Sequence, residues 1–144
     1  QLMGGLLIAL ETLRLRPVVS VIPRMVLRPF QLRGWTVEPG TGVIAAISLV
    51  HTDPEVFPDP GSFRPERFLD RKYSPSEYIP FGGGVRRCVG AAFAAYEMRI
   101  VLGTIVARCR FRTVDDRIPP VARRNITAGP KGGISLLYDG RREP

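Results

Sequence analysis

The chain has 144 residues, of which 44% are hydrophobic and 24% charged, and its net charge is +8. That length fits one domain-sized unit with a modest core, and the composition is ordinary for a globular chain. Two cysteines exclude a disulfide framework. The arginines that carry the charge are scattered, without aromatic interleaving, which argues against a nucleic-acid surface. No run of about 20 apolar residues offers a membrane span, and no signal peptide is visible. The chain opens on Gln1 rather than Met, so an upstream anchor stays open; a reducing cytoplasmic compartment is the expectation.

In chain order, Leu2, Leu6, Leu7, Leu10, Leu13 and Leu15 recur near helical spacing, which predicts a helix over 2–15 that Pro17 stops. Gly4 and Gly5 weaken its first turns by up to about 1 kcal/mol each. Glu11 and Arg14 fall on one face, within reach of each other. Val18 to Arg33 alternates loosely and is punctuated by Pro23 and Pro29, which predicts short strands. Residues 34–41 carry turn chemistry at both ends, and an apolar run covers 43–50. Asp53 is placed to cap a short helix beginning at Pro54. His51, the single histidine, reads as a structural hydrogen-bonding residue.

A polar loop over 71–80 feeds Phe81-Gly82-Gly83-Gly84-Val85-Arg86-Arg87-Cys88-Val89-Gly90. Glycines let backbone pass close to a large flat group and tolerate positive φ. A cysteine just before a helix lies in the positive end of the helix dipole, which favours thiolate, the form that binds iron. Arg86 supplies a fork-shaped cation suited to a carboxylate. Ala91 to Cys109 is the strongest helical pattern, with Phe93, Tyr96, Ile100, Thr104 and Ala107 on one side and Cys109 as a buried apolar residue. The helix sets the two cysteines about 27 Å apart, too far for a disulfide. In the tail, Asn125-Ile126-Thr127 and Gly133 to Tyr138 flank Pro130-Lys131-Gly132-Gly133, which predicts a hairpin.

Phe81, Gly84, Arg86, Cys88 and Gly90 fill all five positions of F-x-x-G-x-R-x-C-x-G, and the stretch resembles the haem-binding signature of the cytochromes P-450. Glu11-x-x-Arg14 resembles that family's K-helix motif, Gly34 to Thr41 its G-x-x-I-P-x-G-T hairpin, and Phe63 to Phe68 its F-x-P-E-R-F segment. The resemblance covers essentially all of 1–144, read as one partial domain, but only the C-terminal third or so of a family member. It implies an α+β chain: the C-terminal part of a mainly α fold, with K helix, small β-sheets, cysteine loop, L helix and a C-terminal β-hairpin.

The resemblance also implies the site. Cys88 would be the metal ligand of haem (iron protoporphyrin IX). Arg86 and Arg24 would neutralise its propionates, and Phe81, Gly82, Gly84 and Gly90 would shield the sulfur and admit the flat ring. Glu11, Arg14 and Arg67 would form a buried structural triad, costly to break because one partner's loss strands a charge. Val18, Val19, Ser20, Val21 and Ile22 would line the substrate pocket, with a loop near Val121 to Asn125 also touching substrate. The implied activity is a haem-thiolate monooxygenase acting on an apolar small molecule. Its electrons would come from an acidic ferredoxin- or reductase-type partner docking near Arg71, Lys72 and Arg87. A second reading stays open: a truncated, inactive product with weak or no haem binding. The groups that bind and protonate dioxygen in the family have no counterpart in these residues, so the chain alone is not expected to turn over substrate.

Overall fold

A computed structural model of the chain describes residues 2–142. The leucine-rich start forms α1 (Leu2–Leu15). Strand β1 (Val21–Met25) follows, then β2 (Phe30–Leu32), β3 (Trp35–Val37) and β4 (Gly42–Ala46). Two short helices, α2 (Ile47–His51) and α3 (Arg67–Asp70), bracket a proline-rich coil. A single 3-10 turn (Gly84–Arg86) lies in the glycine loop, and the long helix α4 (Ala91–Arg108) comes next. The tail supplies β5 (Cys109–Thr113), β6 (Val121–Arg124), β7 (Thr127–Pro130) and β8 (Leu136–Arg141). Among the described residues no helix is long and apolar enough to cross a membrane.

Every strand pairs antiparallel with one partner: β1 with β4, β2 with β3, β5 with β8 and β6 with β7. The tail departs from the sequence expectation. Residues 125–127 do not pair with 133–138; Asn125, at φ 58, turns the chain back at once, and β6 pairs with β7. Gly132 and Gly133, both at positive φ, redirect the chain so that β8 reaches β5, directly after α4. Asparagine tolerates the left-handed region because its short polar side chain bonds locally. The helix expected from Pro54 is instead a turn: Asp53 Oδ1 accepts the Glu55 N–H at 2.9 Å, and its carbonyl takes the Phe57 N–H at 2.8 Å.

The helices α1 and α4 cross at glycine. A Cβ built on Gly5 would stand 2.8 Å from Gly103 N and 2.9 Å from Gly103 Cα. Gly5, Ala9 and Leu13, four apart, make the buried stripe of α1. Val26, Ile47, Phe57 and Ala91 complete the buried apolar set among the described residues. The side of α4 carrying Phe93, Tyr96 and Ile100 is exposed, and Cys109 is half-buried at the start of β5. What fills the centre instead is polar: Glu11, Arg14, His51 and Arg67 are all buried.

Candidate functional site

The spacing of Glu11 and Arg14 on α1 puts a carboxylate and a guanidinium side by side, and the fold brings a coil against them. Arg14 Nε donates to Glu11 Oε2 at 2.9 Å and Nη2 to Oε1 at 2.8 Å, a bidentate pair. Its Nη1 donates to the carbonyls of His51 and Pro60, both at 2.8 Å, and Nη2 also reaches Ser62 O at 3.1 Å. All five N–H groups of the guanidinium are thereby used. Arg67 Nε meets Glu11 Oε1 at 3.2 Å and Nη1 donates to Pro58 O at 2.9 Å. The Arg64 backbone N–H, a partner invisible in the sequence, also donates to Glu11 Oε1, at 2.9 Å. Burial pushes the Glu11 carboxyl up, but the Arg14 and Arg64 hydrogen bonds and the two cations outweigh it and hold the pKa below its ordinary value.

Two further aromatic residues join this cluster. The His51 ring stacks on Tyr78 (5.3 Å between centroids, 21° between planes) and meets Phe57 edge-on at 6.0 Å. Tyr78 donates its hydroxyl to the Leu10 carbonyl at 2.8 Å, pinning the loop to α1. The polar loop over 71–80 gave no periodic signal for Tyr78; only its aromatic character set it apart.

The cysteine loop is held from its own backbone. The Cys88 N–H donates to Phe81 O at 3.0 Å, so residues 81–88 close into a loop whose sulfur is exposed. Gly82 and Gly84 sit at φ 71 and φ 64, where a side chain is strained. Gly82 is also buried, and a Cβ there would touch Ile22 Cδ1 at 3.0 Å. That contact sets β1 against the loop. Arg24 lies two residues further on β1, hence on the same face as Ile22, about 7 Å along the strand. A Cβ on Gly90 would lie 3.8 Å from Cys88 Sγ, so the glycine leaves one side of the sulfur open.

Arg86 and Arg24 are both exposed and have no acidic partner among the described residues. Val85 and Val89 flank Cys88 in sequence and are fully exposed. An accessible thiol with apolar side chains, glycines at positive φ and the Arg86 guanidinium close by in the chain fits a flat apolar group bearing carboxylates. Val18 is exposed and Val19 to Ile22 are half-buried. The Val18 carbonyl accepts the Ala128 N–H at 2.7 Å, which brings the β6–β7 hairpin alongside this segment. Of the basic residues expected to meet a partner, Arg71 is paired with Glu77 and lies over the Tyr73 ring, whereas Lys72 and Arg87 are exposed without an acidic partner among the described residues.

The model of the family described as Cytochrome P-450 matches residues 8–137. The chain belongs to the cytochrome P-450 family. Cytochrome P-450 135B1 of Mycobacterium bovis is 43% identical over 136 residues, 94% of this chain and 29% of that protein. Cytochrome P-450 137 of Mycobacterium tuberculosis is 38% identical over 128 residues, 89% of this chain and 27% of that one. The chain thus spans under a third of the length of these curated P-450 relatives. Among solved structures, a 6-coordinated P-450 from Thermus thermophilus superposes with a TM-score of 0.84 at 32% identity, covering 99% of this chain and 38% of that one. A retinoic acid-bound cyanobacterial P-450 superposes at 0.79 and 28% identity, covering 92% of this chain and 32% of that chain. The α+β arrangement is that of the C-terminal portion of the P-450 fold.

Proposed function

We propose that this chain is the haem-holding portion of a P-450 monooxygenase, with Cys88 as the thiolate ligand of the iron. The observation that carries the reading is the exposed Cys88 sulfur, on a loop closed by its own N–H onto Phe81 and shaped by Gly82 and Gly84 at positive φ. When bound, haem supplies the one-electron and dioxygen chemistry that no side chain here can perform. The chain's own residues bind and orient it. Cys88 binds as thiolate, and Phe81 covers the loop behind it. Arg86 and Arg24 pair with the two propionates, and Gly90 keeps the approach to sulfur clear. Val18 to Ile22 present the apolar edge against which a small apolar substrate lies, next to the β6–β7 hairpin. Glu11, Arg14 and Arg67 hold the scaffold and touch neither cofactor nor substrate. Lys72 and Arg87 present positive charge to an acidic electron donor of ferredoxin or reductase type.

Turnover needs more than these residues. A cleft of about 370 Å³ is lined by residues of 113–120 and 133–135, with no member of the cysteine loop. The segment expected to line substrate is exposed or half-buried and Cys88 is itself exposed, so water is not kept from the Cys88 face. The 144-residue chain alone is therefore expected to hold haem loosely and to form no product. The test is to add haem to the purified chain, reduce it under carbon monoxide and record the spectrum, then assay apolar substrates with surrogate electron donors. A thiolate-type band lost in Cys88→Ser and kept in Cys109→Ser is the expected result. An unchanged band in Cys88→Ser overturns the ligand, and tightly coupled product formation by the chain alone overturns the second statement.

A further inference from the structure

We propose that His51 is the positioning residue of the cysteine loop: its carbonyl, on the Arg14 guanidinium, and its ring nitrogen, on the Ile79 N–H, tie the buried charge cluster to the backbone that presents Cys88. The proposal rests on the reading of Cys88 as ligand, and it assigns a role to a side chain that the proposed chemistry does not use. His51 ends α2 and is completely buried. On one side its carbonyl accepts Arg14 Nη1 at 2.8 Å, the guanidinium at the heart of the cluster. On the other, its ring Nε2 accepts the Ile79 N–H at 2.9 Å. From there the path is main chain. Ile79 O takes the Gly82 N–H at 2.9 Å, and Phe81, between them, takes the Cys88 N–H at 3.0 Å. One residue, through its carbonyl and its ring, thus joins Arg14 on α1 to the two turns that shape the loop.

The ring is built for acceptance at Nε2. Since Nε2 accepts, the ring proton sits on Nδ1, and Nδ1 is buried without a partner among the described residues. Leaving a buried donor unpaired is unfavourable, so packing has fixed the ring on its other nitrogen. The groups that face it are Tyr78 and Ile79 from the loop, Phe57 from the coil, and Arg14 with Glu11 behind it from α1. Burial, and to a lesser extent the Arg14 charge, oppose a second proton, and the pKa falls to about 4. An imidazolium would turn N–H toward the N–H of Ile79 and release the loop.

Two variants of the 144-residue chain test this. His51→Phe keeps a ring and removes the acceptor; His51→Gln returns an acceptor at the reach of Nε2. Amide exchange is read at Ile79, Gly82 and Cys88, with Leu102 and Gly103 in α4 reporting that the fold is intact. The haem–carbon monoxide spectrum is recorded in parallel. In His51→Phe, protection at Ile79 and Cys88 should fall at least tenfold while α4 stays protected, and the thiolate band should shrink. His51→Gln should restore both. Wild-type protection at Ile79 and Cys88 in a folded His51→Phe overturns the proposal. If His51→Phe loses α4 protection as well, His51→Gln decides alone: fast exchange at Ile79 in a folded His51→Gln is equally fatal. The exchange measurements need no haem, so they decide the role of His51 even where Cys88→Ser leaves the spectrum unchanged, a result that counts against the ligand alone.

Discussion

Gly4 and Gly5 are neighbours on one helix, yet alanine at each should move stability in opposite directions. In an exposed helical position glycine is about 1 kcal/mol worse than alanine. Nothing lies within 4 Å of a Cβ at Gly4, so Gly4→Ala should recover about 0.5–1 kcal/mol. At Gly5 the same propensity gain meets a wall. The added Cβ would be 2.8 Å from Gly103 N and 3.2 Å from Arg99 O, atoms of a helical backbone that cannot rotate away. Ordinary contact begins near 3.4 Å, so α1 and α4 must part by about 0.6 Å, the difference between 3.4 and 2.8. Overpacking of this kind costs about 1–3 kcal/mol. It also shifts Glu11 and Arg14, about two turns along α1, against coil backbone groups that they meet at 2.8–3.1 Å. The net expectation for Gly5→Ala is a loss of about 1–2 kcal/mol, and a gap between the variants of about 1.5–3 kcal/mol. Urea melts followed by far-UV circular dichroism measure both on the same chain. A Gly5→Ala protein as stable as Gly4→Ala would refute the close crossing.

The charge cluster and the buried imidazole give two more expectations. Glu11→Ala and Arg67→Ala should each cost about 3–5 kcal/mol, and the double variant should fall short of their sum by at least about 1 kcal/mol, because one network is broken twice; additive melts would mean that the charges act independently. The His51 pKa, held at about 4 against an ordinary 6.5, means that the unfolded chain takes a proton before the folded one does. Stability from this group is therefore complete above pH 6.5 and drains away as pH falls toward 4, by about 3 kcal/mol at most. Glu11, whose carboxyl is depressed, adds a further loss at lower pH. Urea midpoints at pH 7, 5 and 4 should drop more steeply in the wild type than in His51→Gln; parallel slopes would remove His51 from the acid response.

What the sequence disclosed depended on how local the signal was. The helices α1 and α4 were legible because leucine spacing and Ala-, Leu- and Met-rich runs act within a few residues. The cysteine loop was legible because its glycines, arginine and cysteine stand at fixed separations. Arg67 lies 56 residues from Glu11, and only a family resemblance could join them. The tail misled because Pro130-Lys131-Gly132-Gly133 carries stronger turn chemistry than Asn125-Ile126, yet a single asparagine at positive φ closed the shorter hairpin. Gly5 misled differently. A glycine that weakens a helix and a glycine that lets another helix approach have the same local signature, and only the neighbour distinguishes them. His51 was read as structural, but its two partners, Arg14 and Ile79, come from opposite directions along the chain.

Arg14 donates to the carbonyls of residues 51, 60 and 62, never to their side chains. The path of the coil is thus moulded by an imprint carried on a helix some forty positions earlier in the chain. A mould that grips carbonyls is indifferent to what the side chains are. Residues such as Pro60, Gly61 and Ser62 are free to change so long as their backbone still follows the imprint, whereas lysine at position 14, a point charge with three donors, could not reproduce it. The shape of the coil can therefore outlast its own sequence.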